Sequence, residues 1–81
     1  SYFNRGTIYL HKGDWDAAIA DFTKTLEIFP TYAMALSNRG TARQHKGDLR
    51  AALQDYDAAI RHFPEIFEAY LNRGTVKQAL K

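Results

Sequence analysis

The chain has 81 residues, a length that folds as one small domain with a single modest core. Eleven Lys and Arg are nearly balanced by nine Asp and Glu without a basic run, and no apolar run approaches the ~18 residues of a membrane span, so neither nucleic-acid nor membrane binding is predicted. The absence of cysteine excludes disulfides, cysteine-ligated metals and thiol nucleophiles, and fits a reducing compartment such as the cytoplasm.

The first part of the chain is predicted to form a helical hairpin. A helix is expected over 1–12, and Gly13 can take the left-handed conformation that ends it. Asp14 can then cap a second helix over 15–28, in which apolar residues recur at helical spacing through "AAIADFTKTLEIF". Pro30 stops this second helix.

The same pattern returns 34 residues later, because "NRGT" occurs at 4–7, 38–41 and 72–75, and "HKGD" at 11–14 and 45–48. Self-similarity at a fixed period of this length is typical of stacked helical repeats. Gly47, Asp48 and Pro64 delimit helices predicted over 33–46 and 49–62, and a fifth helix is predicted over 66–80, with no strand. We therefore expect one domain over 1–81, with repeat 1 at 1–32, its first helix cut short, repeat 2 at 33–66, and the cap-like first helix of repeat 3 at 67–81.

The second repeat carries the combination of small, aromatic and helix-breaking residues on which a family resemblance rests: Gly40, Gly47, Ala52, Tyr56, Ala59 and Pro64. This combination resembles the tetratricopeptide repeat, or TPR, over the whole chain, although Thr25 stands where the family prefers alanine. The resemblance implies an all-α, right-handed α-solenoid of stacked antiparallel helical hairpins, whose first helices line a concave groove. It also implies binding of a protein or peptide, without catalysis or a cofactor.

The glycine and arginine of each "NRGT" are predicted to be architectural. Glycine costs a helix about 1 kcal/mol relative to alanine, so close helix–helix approach is the expected compensation at Gly6, Gly40 and Gly74. The arginines fall on the same packing side, where a guanidinium needs a partner or a route to water. We expect these arginines to form ion pairs between repeats, Arg39 with Asp21 and Arg73 with Asp55. The alternatives are ion pairs inside one repeat and a site that binds an anion.

The asparagine and threonine of each "NRGT" belong to a different helical face, which is largely polar and recurs in each repeat. A face buried in a core would be apolar, so this one is predicted to line the peptide-binding groove; the alternative is a solvated face without a ligand. The predicted groove residues are Phe3, Asn4, Thr7, Leu10, His11, Met34, Ser37, Asn38, Thr41, Gln44, His45, Glu68, Leu71, Asn72, Thr75 and Gln78.

Metal binding and catalysis are not predicted. Stacking would bring His11 and His45 onto neighbouring helices, but Ala79 occupies the corresponding position in the last helix and no third ligand is at hand. No nucleophile–base set, carboxylate pair or phosphate-binding loop has a recognisable spacing, so no catalytic residue and no cofactor is assigned.

The resemblance also allows one family binding mode to be compared residue by residue. Chaperone-binding TPR domains hold the C-terminal carboxylate of a peptide with a clamp of Lys, Asn and Arg side chains. In this sequence only Asn38 matches, because the other clamp positions hold Phe3, Thr7, Glu68 and Asn72. Since Glu68 would repel a carboxylate, an acidic chaperone tail is not the expected ligand.

Three functions follow from these residues. The first is binding of an extended or helical peptide segment in the groove. The second is an assembly segment that forms homo-oligomers, either by end-to-end stacking through apolar solenoid ends or by helix exchange between copies. The third is a helical-repeat nucleic-acid binder, against which the period of 34 and the near-neutral charge both argue.

Overall fold

The computed structural model describes all 81 residues, which form five α-helices joined by short turns and no strand. The helices are α1 Tyr2–Lys12, α2 Trp15–Ile28, α3 Ala33–Lys46, α4 Leu49–His62 and α5 Phe67–Ala79. All five predicted helices are confirmed, with each end within about one residue of the expected position. None of these helices combines the length and apolarity needed to cross a lipid bilayer.

The two "HKGD" segments form the turns inside the hairpins. Gly13 and Gly47 have φ angles of 81° and 95°, the left-handed conformation predicted for them. The Asp14 side chain accepts a hydrogen bond from the backbone N–H of Ala17, as expected of an N-cap. Asp48 likewise occupies the N-cap of α4, as expected, but its side chain makes no capping hydrogen bond.

The helices stack in chain order, each packing on the next, so that two hairpins and a fifth helix form an all-α helical-repeat solenoid. The third helix also contacts both α1 and α5, which places the first helices of the three repeats side by side. Because these three helices share a direction and a sequence pattern, equivalent residues of successive repeats recur along one surface.

The interior consists of two apolar clusters that meet at α3. The larger one joins α3, α4 and α5 and contains Ala33, Leu36, Ala52, Tyr56, Ala59, Ile66, Ala69 and Val76. The smaller one joins α2 and α3 and contains Ala18, Phe22 and Ala42. Beside it, Thr25 tolerates burial because its Oγ1 donates to the Asp21 carbonyl oxygen at 3.0 Å.

The glycines of "NRGT" mark where α1 and α3 approach their hairpin partners. A Cβ built on Gly6 would lie 2.9 Å from Cε1 of Phe22, and one on Gly40 would lie 2.8 Å from Cε1 of Tyr56. Any larger side chain would overlap these aromatic rings, which confirms the prediction of close approach at both positions. The prediction is wrong for Gly74, which has nothing within 4 Å, because no aromatic side chain of this chain lies against that part of α5.

In repeats 1 and 2 the arginines pair with an aspartate of their own repeat, which corrects the Arg39–Asp21 pair expected from the sequence. Arg5 Nε and Nη2 donate to Asp21 at 2.8 and 2.9 Å. Arg39 Nε and Nη2 donate to Asp55 at 2.9 and 2.7 Å, and Arg43 Nη1 adds a third bond to Asp55 at 2.9 Å. Arg39 therefore does not reach Asp21, because both side chains face the partner helix inside their own hairpin.

Arg39 and Arg73 do make contacts between repeats, but with other partners than those predicted. The Nη1 atom of Arg39 donates to Thr23 Oγ1 of repeat 1 at 3.3 Å. Arg73 Nη1 donates to Asp57 of repeat 2 at 3.0 Å, and it does not contact Asp55. Thr23 and Asp57 are equivalent positions of the two repeats, so the two between-repeat bonds are the same contact made twice.

The Arg5–Asp21 pair predicts a dependence of stability on pH. Hydrogen bonding from the Arg5 guanidinium lowers the pKa of Asp21 from its ordinary value of 3.8. A lowered pKa in the folded state adds stability above the ordinary pKa, and that stability is lost as the pH falls through the lower, folded value. We expect the free energy of unfolding to decrease below about pH 4.

Denaturant titrations at pH 7 and pH 3 measure this effect, and Asp21→Asn should reduce the difference between the two conditions. Asp16→Asn is the matched control, because Asp16 also pairs with a cation, Lys46, but both side chains are exposed. An equal pH dependence in the parent and in Asp21→Asn would contradict the assignment.

Candidate functional site

The predicted groove residues lie on α1, α3 and α5, and the surface that they form is called here the first-helix face. Eight of the sixteen are exposed: Asn4, His11, Met34, His45, Glu68, Leu71, Thr75 and Gln78. Seven are half-buried: Phe3, Thr7, Leu10, Asn38, Thr41, Gln44 and Asn72. The remaining one, Ser37, is buried, because α3 lies between α1 and α5 and its middle is covered from both sides.

Ser37 is therefore not accessible to a ligand, which corrects its prediction as a groove residue. Its Oγ is the one fully buried side-chain polar atom without a hydrogen-bond partner in the chain. A buried hydroxyl without a partner costs about 1–3 kcal/mol, which the packing around α3 must offset.

The asparagines of the three repeats each present a carboxamide on the first-helix face. Asn4 is exposed, and Asn38 and Asn72 are half-buried. None of the three carboxamides takes part in a hydrogen bond with the rest of the chain. Each therefore keeps two donors and an acceptor for a ligand or for water.

The threonines of the three repeats behave differently, because each hydroxyl is used inside its own helix. Oγ1 of Thr7, Thr41 and Thr75 donates to the carbonyl oxygen four residues earlier, at 3.0, 3.1 and 3.2 Å. This local bond fixes the hydroxyl hydrogen and leaves only the oxygen lone pair to accept from outside. The asparagines, not the threonines, supply the donors of this face.

The hydroxyl of Tyr56, a fully buried residue on the second helix of its repeat, contacts two side chains of the first-helix face from the interior, which sequence analysis missed. Its phenol OH lies 2.8 Å from Gln44 Oε1, to which it donates, and 3.2 Å from Thr41 Oγ1. Burial raises the pKa of the Tyr56 phenol, so it remains a neutral donor at physiological pH. The sequence signal was the change from Phe22 in repeat 1 to tyrosine in repeat 2, which adds a hydroxyl at an otherwise buried position.

The repeat 1 end of the face is apolar and partly used for packing. Phe3 lies 4.9 Å from the ring of Tyr32 and 5.9 Å from that of Phe22, measured between ring centroids, and Leu10 packs against the same cluster as Phe22. Phe3 and Tyr32 also line a cavity of about 290 Å³ between the start of α1 and the end of α2. Tyr32 was not predicted, because it lies in the turn before α3 and outside the helical stripes.

The two histidines of the face have different surroundings. The imidazole of His45 stacks on the indole of Trp15, with ring centroids 4.6 Å apart and an angle of 12° between the planes. His11 is exposed on α1. No group of three or more His, Asp or Glu side chains is arranged to hold a metal ion.

Formal charge is scarce on the first-helix face. Apart from the histidines, Glu68 is the only ionisable side chain among its sixteen residues, and it forms no ion pair within the chain. The arginines of "NRGT" are engaged with carboxylates on the second helices instead. The face is thus a nearly neutral surface that offers amide donors and acceptors beside exposed apolar side chains.

Comparison with known proteins agrees with this architecture. Two family models described as tetratricopeptide repeat match residues 1–32 and 37–76. The chain is similar to the first TPR of Spaghetti (RPAP3) bound to the HSP90 peptide SRMEEVD, with 29% identity, a TM-score of 0.95, and coverage of 98% of this chain and 63% of that chain. The NMR structure of the first TPR domain of human RPAP3 has the same fold at 24% identity, with a TM-score of 0.59 and coverage of 98% and 89%.

No curated protein matches the sequence at a significant level. The two family models nevertheless cover both repeats and most of α5, and the five helices follow the fold of a solved TPR over nearly the whole chain. This chain belongs to the tetratricopeptide repeat family.

Proposed function

We propose that the first-helix face binds a peptide segment of another protein, and that the domain is a non-catalytic protein–protein interaction module. The observation that carries this proposal is the recurrence of Asn4, Asn38 and Asn72, one unpaired carboxamide in each repeat. Amide donors and acceptors match the N–H and C=O groups of an extended peptide backbone or of a helix end.

Apolar contacts would add affinity beside these carboxamides. Met34 and Leu71 are 40% and 72% exposed on the same face, although both are apolar side chains that a folded domain usually covers. A flexible methionine adapts to ligand side chains of different shapes. The solved relative, Spaghetti, is bound to a peptide, which supports the same use of this fold here.

The charge of the ligand is expected to differ from that of the peptide SRMEEVD, which ends in acidic residues. Phe3, Thr7, Glu68 and Asn72 replace four of the five side chains of the carboxylate clamp, and only Asn38 matches it. Replacement of a lysine by Glu68 changes attraction for a carboxylate into repulsion. We therefore propose a segment of low net charge, extended or in a short helix.

Substitution of the central asparagine tests the proposal. Asn38→Ala should weaken binding of a peptide selected from a displayed library by about 1–3 kcal/mol, or roughly 5- to 150-fold, because a buried partner group loses its hydrogen bond. Calorimetric titration gives the affinity, and a thermal melt should be nearly unchanged because the carboxamide makes no hydrogen bond inside the chain.

Gln54→Ala is the matched control, because Gln54 is an exposed carboxamide on α4 outside the first-helix face. Unchanged affinity in Asn38→Ala would refute binding at this face, and a large loss of thermal stability would show the asparagine to be structural. The peptide SRMEEVD serves as the charge probe. Micromolar binding of that peptide, abolished by Asn38→Ala, would keep the face as the site but overturn the proposed ligand charge.

A further inference from the structure

Two positions that face each other inside a hairpin differ together between repeats 1 and 2. In repeat 1, Leu10 of α1 packs against the apolar cluster that contains Phe22 of α2. The equivalent positions of repeat 2 hold Gln44 and Tyr56, and the Tyr56 hydroxyl lies 2.8 Å from Gln44 Oε1. An apolar pair in one repeat is thus a hydrogen-bonded pair in the next.

The geometry of the second pair decides which end of the Gln44 carboxamide is turned toward Tyr56. The phenol has one hydrogen to donate, and 2.8 Å is a usual O–H···O separation, whereas the 3.2 Å to Thr41 Oγ1 is longer than that range. The Thr41 hydroxyl donates its own hydrogen to the Ser37 carbonyl oxygen, so it gives none to the phenol. The phenol hydrogen therefore lies on the oxygen of the Gln44 carboxamide.

The nitrogen end of the same carboxamide is free. Gln44 Nε2 makes no hydrogen bond inside the chain, and Ser37 Oγ is the one fully buried side-chain polar atom without a partner. Nε2 therefore reaches solvent on the first-helix face with both of its hydrogens available. Asn38 differs, because no hydrogen bond fixes its carboxamide, and it can turn either its oxygen or its nitrogen toward a ligand.

Tyr56 is a rigid support for this orientation. Its side chain is fully buried, and its ring lies so close to Gly40 that a Cβ there would be 2.8 Å from Cε1. A hydroxyl on an immobile ring holds Gln44 in one orientation before a ligand arrives, which reduces the entropy lost on binding.

We propose that Gln44 is a donor subsite of the first-helix face that takes a carbonyl oxygen of the bound peptide, and that Tyr56 is its positioning residue. The proposal rests on the peptide-binding function proposed above and adds the polarity of one contact to it. A ligand that presents an N–H group at this point would face the hydrogens of Nε2 and leave its own donor unpaired, which selects against it.

The orientation of Gln44 is tested first in the protein without a peptide. Nitrogen-15 relaxation should give a higher order parameter for Gln44 Nε2 than for the side chain of Gln54, an exposed carboxamide of the same kind. Tyr56→Phe should lower the Gln44 value toward that of Gln54. The fold should be retained by circular dichroism, because repeat 1 buries Phe22 at the equivalent position. Equal mobility of the two glutamines in the parent would overturn the proposal.

The role of Tyr56 in binding is tested with a peptide selected on the parent protein from a displayed library. Tyr56→Phe should weaken its binding about three- to tenfold in a calorimetric titration, because the Gln44 side chain must then be ordered on binding. In a Gln44→Ala background, Tyr56→Phe should have no further effect, since the side chain that it positions is gone. Additive losses would show that Tyr56 acts through packing and would overturn its positioning role.

The polarity of the contact is tested by Gln44→Glu, which keeps one oxygen toward Tyr56 and puts a second oxygen in place of the NH2 group. This variant should bind the same peptide at least about tenfold more weakly, because acceptor then faces acceptor. Gln54→Glu adds the same charge outside the face and should leave the affinity unchanged. Equal or tighter binding by Gln44→Glu would overturn the proposal.

Asn38→Ala separates this proposal from the peptide-binding function on which it rests. If Asn38→Ala weakens binding and Gln44→Ala does not, the donor subsite is refuted and the function stands. If neither substitution weakens binding, the peptide does not lie on the first-helix face, and both are refuted.

Discussion

Gly40→Val should lower the free energy of unfolding by about 2–3 kcal/mol, which is a large part of the stability of so small a domain. A Cβ at this position would lie 2.8 Å from the Tyr56 ring, and that ring has no exposed surface. Tyr56 is also held by its hydroxyl contacts with Gln44 and Thr41, so it cannot rotate away without losing them. Chemical denaturation followed by circular dichroism measures the change.

The control for Gly40→Val is the same substitution in the same tetrapeptide of repeat 3. A Cβ at Gly74 would meet nothing within 4 Å, and valine has a somewhat better helix propensity than glycine. The protein should therefore retain its stability or gain a few tenths of a kcal/mol. If Gly40→Val and Gly74→Val changed stability equally, helix propensity rather than contact with the ring would explain the glycines.

Asp55→Ala should cost about 3–5 kcal/mol of stability. The carboxylate is 4% exposed and accepts hydrogen bonds from both Arg39 and Arg43, whose side chains are 17% and 25% exposed. Removal of the carboxylate leaves two shielded guanidinium groups without a counterion, and that penalty exceeds the value of the lost bonds themselves. Urea denaturation at neutral pH gives the difference from the parent.

Asp57→Ala is the matched control, because it removes an aspartate two residues later on the same helix. Asp57 is 47% exposed and pairs only with Arg73, so its loss should cost less than about 1 kcal/mol. A small effect of Asp55→Ala would mean that water satisfies both arginines, and that the buried pair does not hold α3 against α4.

The sequence predicted the fold well because its information is local and repeated. Gly13, Gly47, Pro30 and Pro64 mark helix ends through backbone conformation alone, which depends on no distant contact. The period of 34 residues then predicted that the helices stack as equivalent pairs.

The partners of polar side chains were less predictable, because periodicity leaves a choice of neighbour. The arginine and the aspartate both recur every 34 residues, so the period alone does not decide whether Arg39 pairs with Asp21 or with Asp55. Only the three-dimensional packing shows that it binds Asp55 and also contacts Thr23 of repeat 1. Spacing likewise assigned Ser37 to the surface, whereas its place on the central helix buries it. Tyr56 was expected only as part of the aromatic pattern of repeat 2, whereas its buried hydroxyl also donates to Gln44 of the first-helix face.

The stacking of His45 on Trp15 has a practical consequence for optical spectroscopy. Trp15 is the only tryptophan, and its indole lies against α3 at the boundary between repeats 1 and 2. Intrinsic fluorescence excited at the indole band therefore reports separation of these two repeats and is blind to detachment of α5 alone. Each repeat of a solenoid contacts only its neighbours, so its parts can unfold separately. The unfolding curves measured by tryptophan emission and by far-ultraviolet ellipticity will therefore coincide only if both repeats and α5 unfold together.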